Sequence, residues 1–297
     1  MFSNTTISFF PRVLLAVFAW LIFSFNFSVQ AATPQDELAL MGISFDQDSF
    51  TLYAGRGDHK VVMLFLQSGM SPNLVDSKFG SSPIVYASAQ GYQKVVDALV
   101  THGADVNLPN NDGYTALIAA AHYGHQDIVK YLLNNSALID FQPRLGPTAL
   151  IASIQRGQLN IAELLLLRGA SPSLADAVGT TPLIAAAYSG KVNLIDSLIG
   201  LGVNVNHSNS LGDTALHAAV RNNHVASVRR LLAAGADSGI KSADGLTPLA
   251  IAQLKHYKEI EAMDKEARDK SPDTNSASGQ INRLKLRGVQ IEEINQK

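Results

Sequence analysis

His122 and His125 stand three residues apart, close enough for two imidazoles to share a metal ion. They straddle the end of a helix, however, and no third ligand accompanies them, so no metal site is expected. Arg56-Gly57-Asp58 spells an integrin-type recognition tripeptide. Its glycine falls where a helix must stop, and that structural role accounts for it. Gly55-x-Gly57 precedes no strand and lacks the remaining glycine of a dinucleotide fingerprint. No Ser, His and Asp set has a spacing that demands nucleophilic catalysis, and no phosphate loop or zinc-protease motif is present. The chain holds no cysteine, which excludes disulfides, thiolate chemistry and lipid attachment to a cysteine. It therefore reads as a non-enzyme with no cofactor. The formal charge is −2, and beyond the first 31 residues, whose one charge is Arg12, 22 basic side chains face 25 acidic ones. That balance gives no footprint for nucleic acid.

The elements behind these residues are periodic. Glycines stand at 80, 113, 146, 179, 212 and 245, each 33 residues after the last. With 22 glycines in 297 positions, chance produces such a ladder on the order of once in ten thousand trials. Two residues beyond each come Ser82, Thr115, Thr148, Thr181, Thr214 and Thr247, followed by Pro or Ala and then by an apolar column from Ile84 to Leu249. The hydroxyl can cap a helix and proline supplies its first turn. Gly91, Gly124, Gly157 and Gly190, with Asn223 in the same column, then end that helix, because both residue types tolerate the left-handed conformation of a helix stop. A second helix returns through Val95-Val96, Ile128-Val129, Ile161-Ala162 and Leu194-Ile195, and through Leu99, Leu132, Leu165, Leu198 and Leu231. These columns are the expected core. Ala87, Ala120, Ser153, Ala186, Ala219 and Ala252 form a small-residue column that lets the first helices approach closely.

Thr181-Pro182-Leu183-Ile184-Ala185-Ala186 and Thr214-Ala215-Leu216-His217-Ala218-Ala219 carry a pattern that resembles the ankyrin repeat. Of the copies, only the one at 217 keeps the signature histidine. The resemblance covers about 220 residues and implies an all-α solenoid of stacked helix-turn-helix units with β-hairpin or finger loops, about seven units including caps. It also implies that His125 fills the Gly-His position of the family pattern. Units are expected at 46–75, 76–108, 109–141, 142–174, 175–207, 208–240 and 241–264. Residues 32–45 read as a lead-in, 265–280 as a flexible linker and 281–297 as a tail that forms either a small hairpin or a helical turn. The extra residue between Gly57 and Gly91 is expected near Asp76 to Phe79, where a loop absorbs it cheaply.

Met1 to Ala31 reads as a signal peptide. Val13 to Phe25 is apolar but for Ser24, and Val29-Gln30-Ala31 places small residues at the minus-three and minus-one positions of a cleavage site. Cleavage after Ala31 would leave the repeats in a bacterial periplasm, with no membrane attachment. Secretion, or an uncleaved N-terminal anchor, is the alternative.

What the repeat frame leaves free is a surface. Gln90, Tyr123, Arg156, Ser189, Asn222 and Lys255 form one ladder, and Ala89, His122, Gln155, Tyr188, Arg221 and Leu254 its neighbour. In ankyrin-like arrays such positions, with the finger tips, line a concave face. His122, Tyr123, Arg144, Leu145, Arg156, Val178, Tyr188, Leu211 and Arg221 are the candidate protein-binding residues, a mixture of aromatic, arginine and apolar side chains that interface hot spots favour. The expected function is a monomeric scaffold or inhibitor that binds another protein of the cell envelope. A secreted effector that engages a host protein is the second reading, and an enzyme with a site completed by the tail is the third.

Overall fold

The computed structural model describes residues 32–144 and 146–270, the side chains of 264, 265 and 267–270 apart. The segment 1–31 read as a signal peptide, Leu145, and the rest of the expected linker and the tail, from 271 onward, lie outside the described residues.

Fifteen helices are described, and none of the described residues is in a strand. A short helix α1 (Pro34–Leu40) precedes seven helix pairs. The inner helices are α2 (Gln47–Arg56), α4 (Pro83–Gln90), α6 (Ala116–Tyr123), α8 (Ala149–Gln155), α10 (Pro182–Tyr188), α12 (Ala215–Arg221) and α14 (Pro248–Leu254). Each is followed by an outer helix: α3 (His59–Gln67), α5 (Gln93–Thr101), α7 (Gln126–Asn134), α9 (Leu159–Leu167), α11 (Val192–Gly200), α13 (Val225–Ala233) and α15 (Lys258–Lys270). Inner helices stack on inner helices, outer on outer, and each pair closes on itself. The result is the two-layered solenoid that the 33-residue period predicts.

Local chemistry sets the ends of the inner helices. The hydroxyls of Thr115, Thr148, Thr181, Thr214 and Thr247 accept hydrogen bonds from the third residue of their helices at 3.2–3.4 Å. Ser82 makes no such bond, and its buried hydroxyl has no partner. At the other end Gly91, Gly124, Gly157 and Gly190 have φ between 65° and 90°, and Asn223 follows with 54°. His256 takes the same conformation, φ 59°, in the last unit, where the sequence offered neither glycine nor asparagine.

Ala87, Ala120, Ser153, Ala186, Ala219 and Ala252 are each 0% exposed, so the small-residue column lies where inner helices meet. In the outer layer Leu99, Leu132, Leu165, Leu198 and Leu231 are also 0% exposed. Burying one such leucine stabilises the fold by about 1.5–3 kcal/mol. The residues that follow them, Val100 to Leu232, are half-buried and cover the core's edge.

The loops that lead from outer helices to the next finger are stitched in three units by one asparagine each. Asn73 accepts from the N–H of Asp105 and donates to the carbonyl of Gly103; Asn107 does the same with Leu138 and Ser136, and Asn206 with Asp237 and Gly235. Each satisfies a donor and an acceptor one unit away.

Two departures from expectation concern the ends. The lead-in is a helix: Thr33 and Asp36 form a reciprocal capping box, and Leu38, 0% exposed, packs α1 onto α3 and covers the first unit. At the other end α15 runs to Lys270, into the stretch that composition reads as linker.

The fingers are tight turns. In finger five the Asp176 carboxylate accepts from the N–H groups of Val178 and Thr180 at 3.1 and 2.8 Å. Asn209 accepts from Leu211 and Asp213 in finger six, and Asn110 from Asp112 and Tyr114 in finger three. Asp76, in the finger that carries the extra residue, accepts from Lys78, Phe79 and Ser81. Neighbouring fingers join through their backbones: Asn111 N–H to Phe79 carbonyl, Ser210 to Val178, and Ala243 to Leu211, at 3.1, 2.9 and 2.8 Å. Finger four differs. Pro143 occupies the turn-stapling column and offers no side-chain acceptor, and Gly146 lacks the positive φ found at the other five ladder glycines.

Candidate protein-binding face

The inner helices begin at the fingers, and the angle between the two holds the side chains that packing does not claim. His122 and Tyr123 sit at the end of α6, Arg156 just past α8, Tyr188 at the end of α10 and Arg221 at the end of α12. Tyr123, Tyr188 and Leu254 are 56%, 62% and 66% exposed, and at the finger tips Val178 and Leu211 are 55% and 63% exposed. The tips are therefore fixed through their backbones while their side chains face solvent.

The candidates gather into two groups. In the first, Arg156 Nε donates to His122 Nε2 at 2.8 Å. That bond requires a neutral imidazole whose proton is on Nδ1, and Nδ1 is buried without a partner. The rings of Tyr114 and Tyr123 meet the His122 ring edge-on at 5.9 and 4.7 Å. Burial, and then the positive charge of Arg156, hold the His122 pKa below its ordinary value.

In the second group Tyr188, Leu211 and Arg221 line a groove of about 410 Å³, together with Gln155, Ile184 and Asn209. Its floor is the exposed side of α10 and α12. Arg221 is not free: its guanidinium reaches Asp213 at 3.2 Å and Asp244 of the next finger at 3.1 Å. Burial opposes its charge, but these two carboxylates outweigh burial and raise its pKa. Asp244, held by Ser242 and by Arg221, is brought down to about 2. Arg221 thus pins finger seven to finger six and presents its remaining edge to the groove.

Arg144 and Val178 join neither group. Arg144 is exposed on finger four, whose backbone lies against Gly113 of finger three. Leu145 lies outside the described residues. Sequence reasoning placed Gln155 in a ladder without making it a candidate and did not select Asp213, Asp244 or Asn209; the two aspartates fix Arg221, and their link to it crosses 8 and 23 residues.

His125, His217 and His224 have structural partners. His125 Nε2 bonds the Ala89 carbonyl at 2.9 Å and His224 Nε2 the Tyr188 carbonyl at 3.0 Å, each tying the start of an outer helix to the inner helix of the preceding unit. His217, 0% exposed, contacts the Thr214 amide and hydroxyl through Nδ1 and the Leu246 carbonyl through Nε2. Burial is the main cause of its lowered pKa. Among the described residues no group of three His, Cys, Asp or Glu side chains is placed to hold a metal, and no helix is long and apolar enough to cross a membrane.

His122 and His217 make stability depend on pH with a definite sign. Both native values are depressed below the ordinary imidazole value near 6.5, so the stability is fully present above that pH. As the pH falls, the unfolded chain binds these protons first, and stability is lost until the native rings also protonate. Each ring contributes at most about 1.4 kcal/mol per pH unit within its window. The urea midpoint is expected to fall between pH 7.5 and 5, and His122→Gln with His217→Gln to flatten the slope; an unchanged slope in the double variant contradicts the assignment.

The family description "Ankyrin repeats (3 copies)" matches residues 50–143, 135–209 and 183–267. A stretch of 74 residues is 35% identical to the ankyrin repeat and KH domain-containing protein mask-1 of Caenorhabditis elegans, covering 24% of this chain and 3% of that protein. Another of 64 residues is 39% identical to an ankyrin repeat-containing protein of Schizosaccharomyces pombe, covering 22% of this chain and 30% of that one. The chain thus spans under a third of either relative. Among solved structures, the human ASB11 ankyrin repeat domain superposes with a TM-score of 0.62 at 25% identity, over 72% of this chain and 96% of that domain.

Proposed function

The chain belongs to the ankyrin repeat family, whose members are protein–protein interaction modules, and from that premise we propose that it binds a partner protein through the concave face between inner helices and fingers. The observation that carries this reading is the row of side chains that the repeat frame leaves exposed there: Tyr123, Tyr188, Leu211 and Leu254, beside Arg156 and Arg221. Large aromatic and apolar groups exposed beside arginine, on a scaffold held by many buried columns, are the composition of an interface core. The protein acts as a non-enzymatic scaffold or inhibitor.

The place of action in this proposal is outside the cytoplasm, in the periplasm, with the partner in the cell envelope. Support comes from the apolar N-terminal segment and its small-residue cleavage pattern. Fractionation with mass spectrometry tests it: a mature chain that begins at Ala32 in the periplasm fits, and a full-length chain in the cytoplasm does not.

The binding reading is tested by capture from an envelope extract. Arg156→Ala with Tyr188→Ala is expected to lose the partner that the wild-type protein retains, while the outer-helix change Glu163→Ala keeps it. Equal capture by all three proteins overturns the reading.

A further inference from the structure

The concave ladders have a charge pattern that their role in packing does not explain. Across Gln90, Tyr123, Arg156, Ser189, Asn222 and Lys255, and across Ala89, His122, Gln155, Tyr188, Arg221 and Leu254, there are three permanent cations and no carboxylate. Arg56, one longer period before Gln90, extends the series into the first unit. The whole chain nevertheless has a formal charge of −2. Asp97, Asp127, Glu163, Asp196 and Glu259 lie on outer helices, and the acidic pair nearest the ladders, Asp213 and Asp244, is taken up by Arg221.

Of the two arginines in the concave ladders, Arg156 is the one without a carboxylate partner among the described residues. Arg221 has Asp213 and Asp244, Arg230 has Asp196 and Arg229 has Glu259. Arg156 has no carboxylate within salt-bridge distance among the described residues; its described polar contact is the neutral His122 ring. That bond uses Nε and holds the guanidinium in place, leaving the two terminal NH2 groups without a described partner. Such a fork, already oriented and beside an exposed tyrosine, matches a carboxylate bidentately. Gln155, the residue before Arg156, lines the apolar groove of Tyr188 and Leu211. The cation and the groove are therefore neighbours on one face.

We propose that the partner presents an acidic segment, with a carboxylate received by Arg156 and an adjacent leucine or aromatic side chain placed in the groove of Tyr188 and Leu211. This inference rests on the concave-face reading above and adds the chemistry of the partner. A nucleic acid fits less well. Its phosphates repeat at every nucleotide, whereas the ladder's cations are separated by uncharged units.

The test uses fluorescence anisotropy with the purified protein and three labelled probes: an acetylated Glu-Glu-Leu-Phe-Glu-Glu peptide, its Gln-for-Glu counterpart and oligothymidylate. The acidic peptide is expected to bind, to weaken about tenfold in Arg156→Gln, to recover in part in Arg156→Lys, and to weaken with added salt. Tyr188→Ala is expected to weaken it as well, and Glu163→Ala to leave it unchanged. Equal binding of the acidic and Gln peptides, no binding of either, or preference for oligothymidylate overturns the inference. If Arg156→Gln keeps the envelope partner while Tyr188→Ala loses it, the acidic-segment inference fails and the concave-face reading stands.

Discussion

Gly212→Val is expected to separate the last unit from the rest of the array. Gly212 has φ +70°, a conformation that costs a β-branched residue about 1–2 kcal/mol. A Cβ there would stand 2.9 Å from the Ala243 nitrogen and 3.0 Å from the Ser242 Cα, both backbone atoms of the next finger. The finger cannot yield without stretching the 2.8 Å bond between the Ala243 N–H and the Leu211 carbonyl, so overpacking of about 1–3 kcal/mol adds to the strain. Gly245 provides the control. Its φ is +78°, and a Cβ there meets nothing within 4 Å, so Gly245→Val has the backbone cost alone. Chemical unfolding of both variants measures the difference. Equal losses contradict the close approach of fingers six and seven. The same displacement would move Asp244 away from Arg221, so Gly212→Val should also disturb the groove.

Leu132→Ala is expected to cost about 2–5 kcal/mol. Leu132 is 0% exposed on α7 in the third of seven units, with Leu99 and Leu165 in the same column on either side. Alanine leaves a cavity that neither neighbour can fill, because each is already buried in its own unit. Since units in such arrays interact mainly with adjacent units, weakening an internal one should also reduce the coupling between the two sides. A broadened or two-step urea transition, with the first step destabilised, is the expected result. A loss below about 1 kcal/mol would show that Leu132 is not in the core.

The repeat frame was legible because its requirements are local and recur: a hydroxyl before the helix, a glycine after it, an alanine where helices touch. Six copies turn weak signals into a register, and the burial of Ala186 and Leu165 agrees with that register. The lead-in helix was also written in the sequence, in Thr33-Pro34 and Asp36, but with one buried leucine it has too little apolar pattern to stand out. Pro143 in a column of Asp76, Asn110, Asp176 and Asn209 likewise marked finger four as different.

The candidate face was legible only in outline. Spacing alone places Tyr123, Arg156 and Tyr188 in the concave ladders. It does not reveal that Arg221 is bound to Asp213 and Asp244 while Arg156 faces a histidine, because those pairings depend on side-chain directions across unit boundaries. The consequence is chemical. Two arginines in adjacent ladders differ in what they can offer a ligand.

The central claim is that the concave face holds a partner protein, and site-specific photocrosslinking tests it most directly. A photoreactive amino acid at position 188 lies in the groove; one at position 163 lies on the outer helix α9. In intact cells, irradiation is expected to join position 188 to one protein of the envelope and to leave position 163 without that adduct. An adduct with that protein from position 163 and none from position 188 would place binding on the opposite surface and contradict the account.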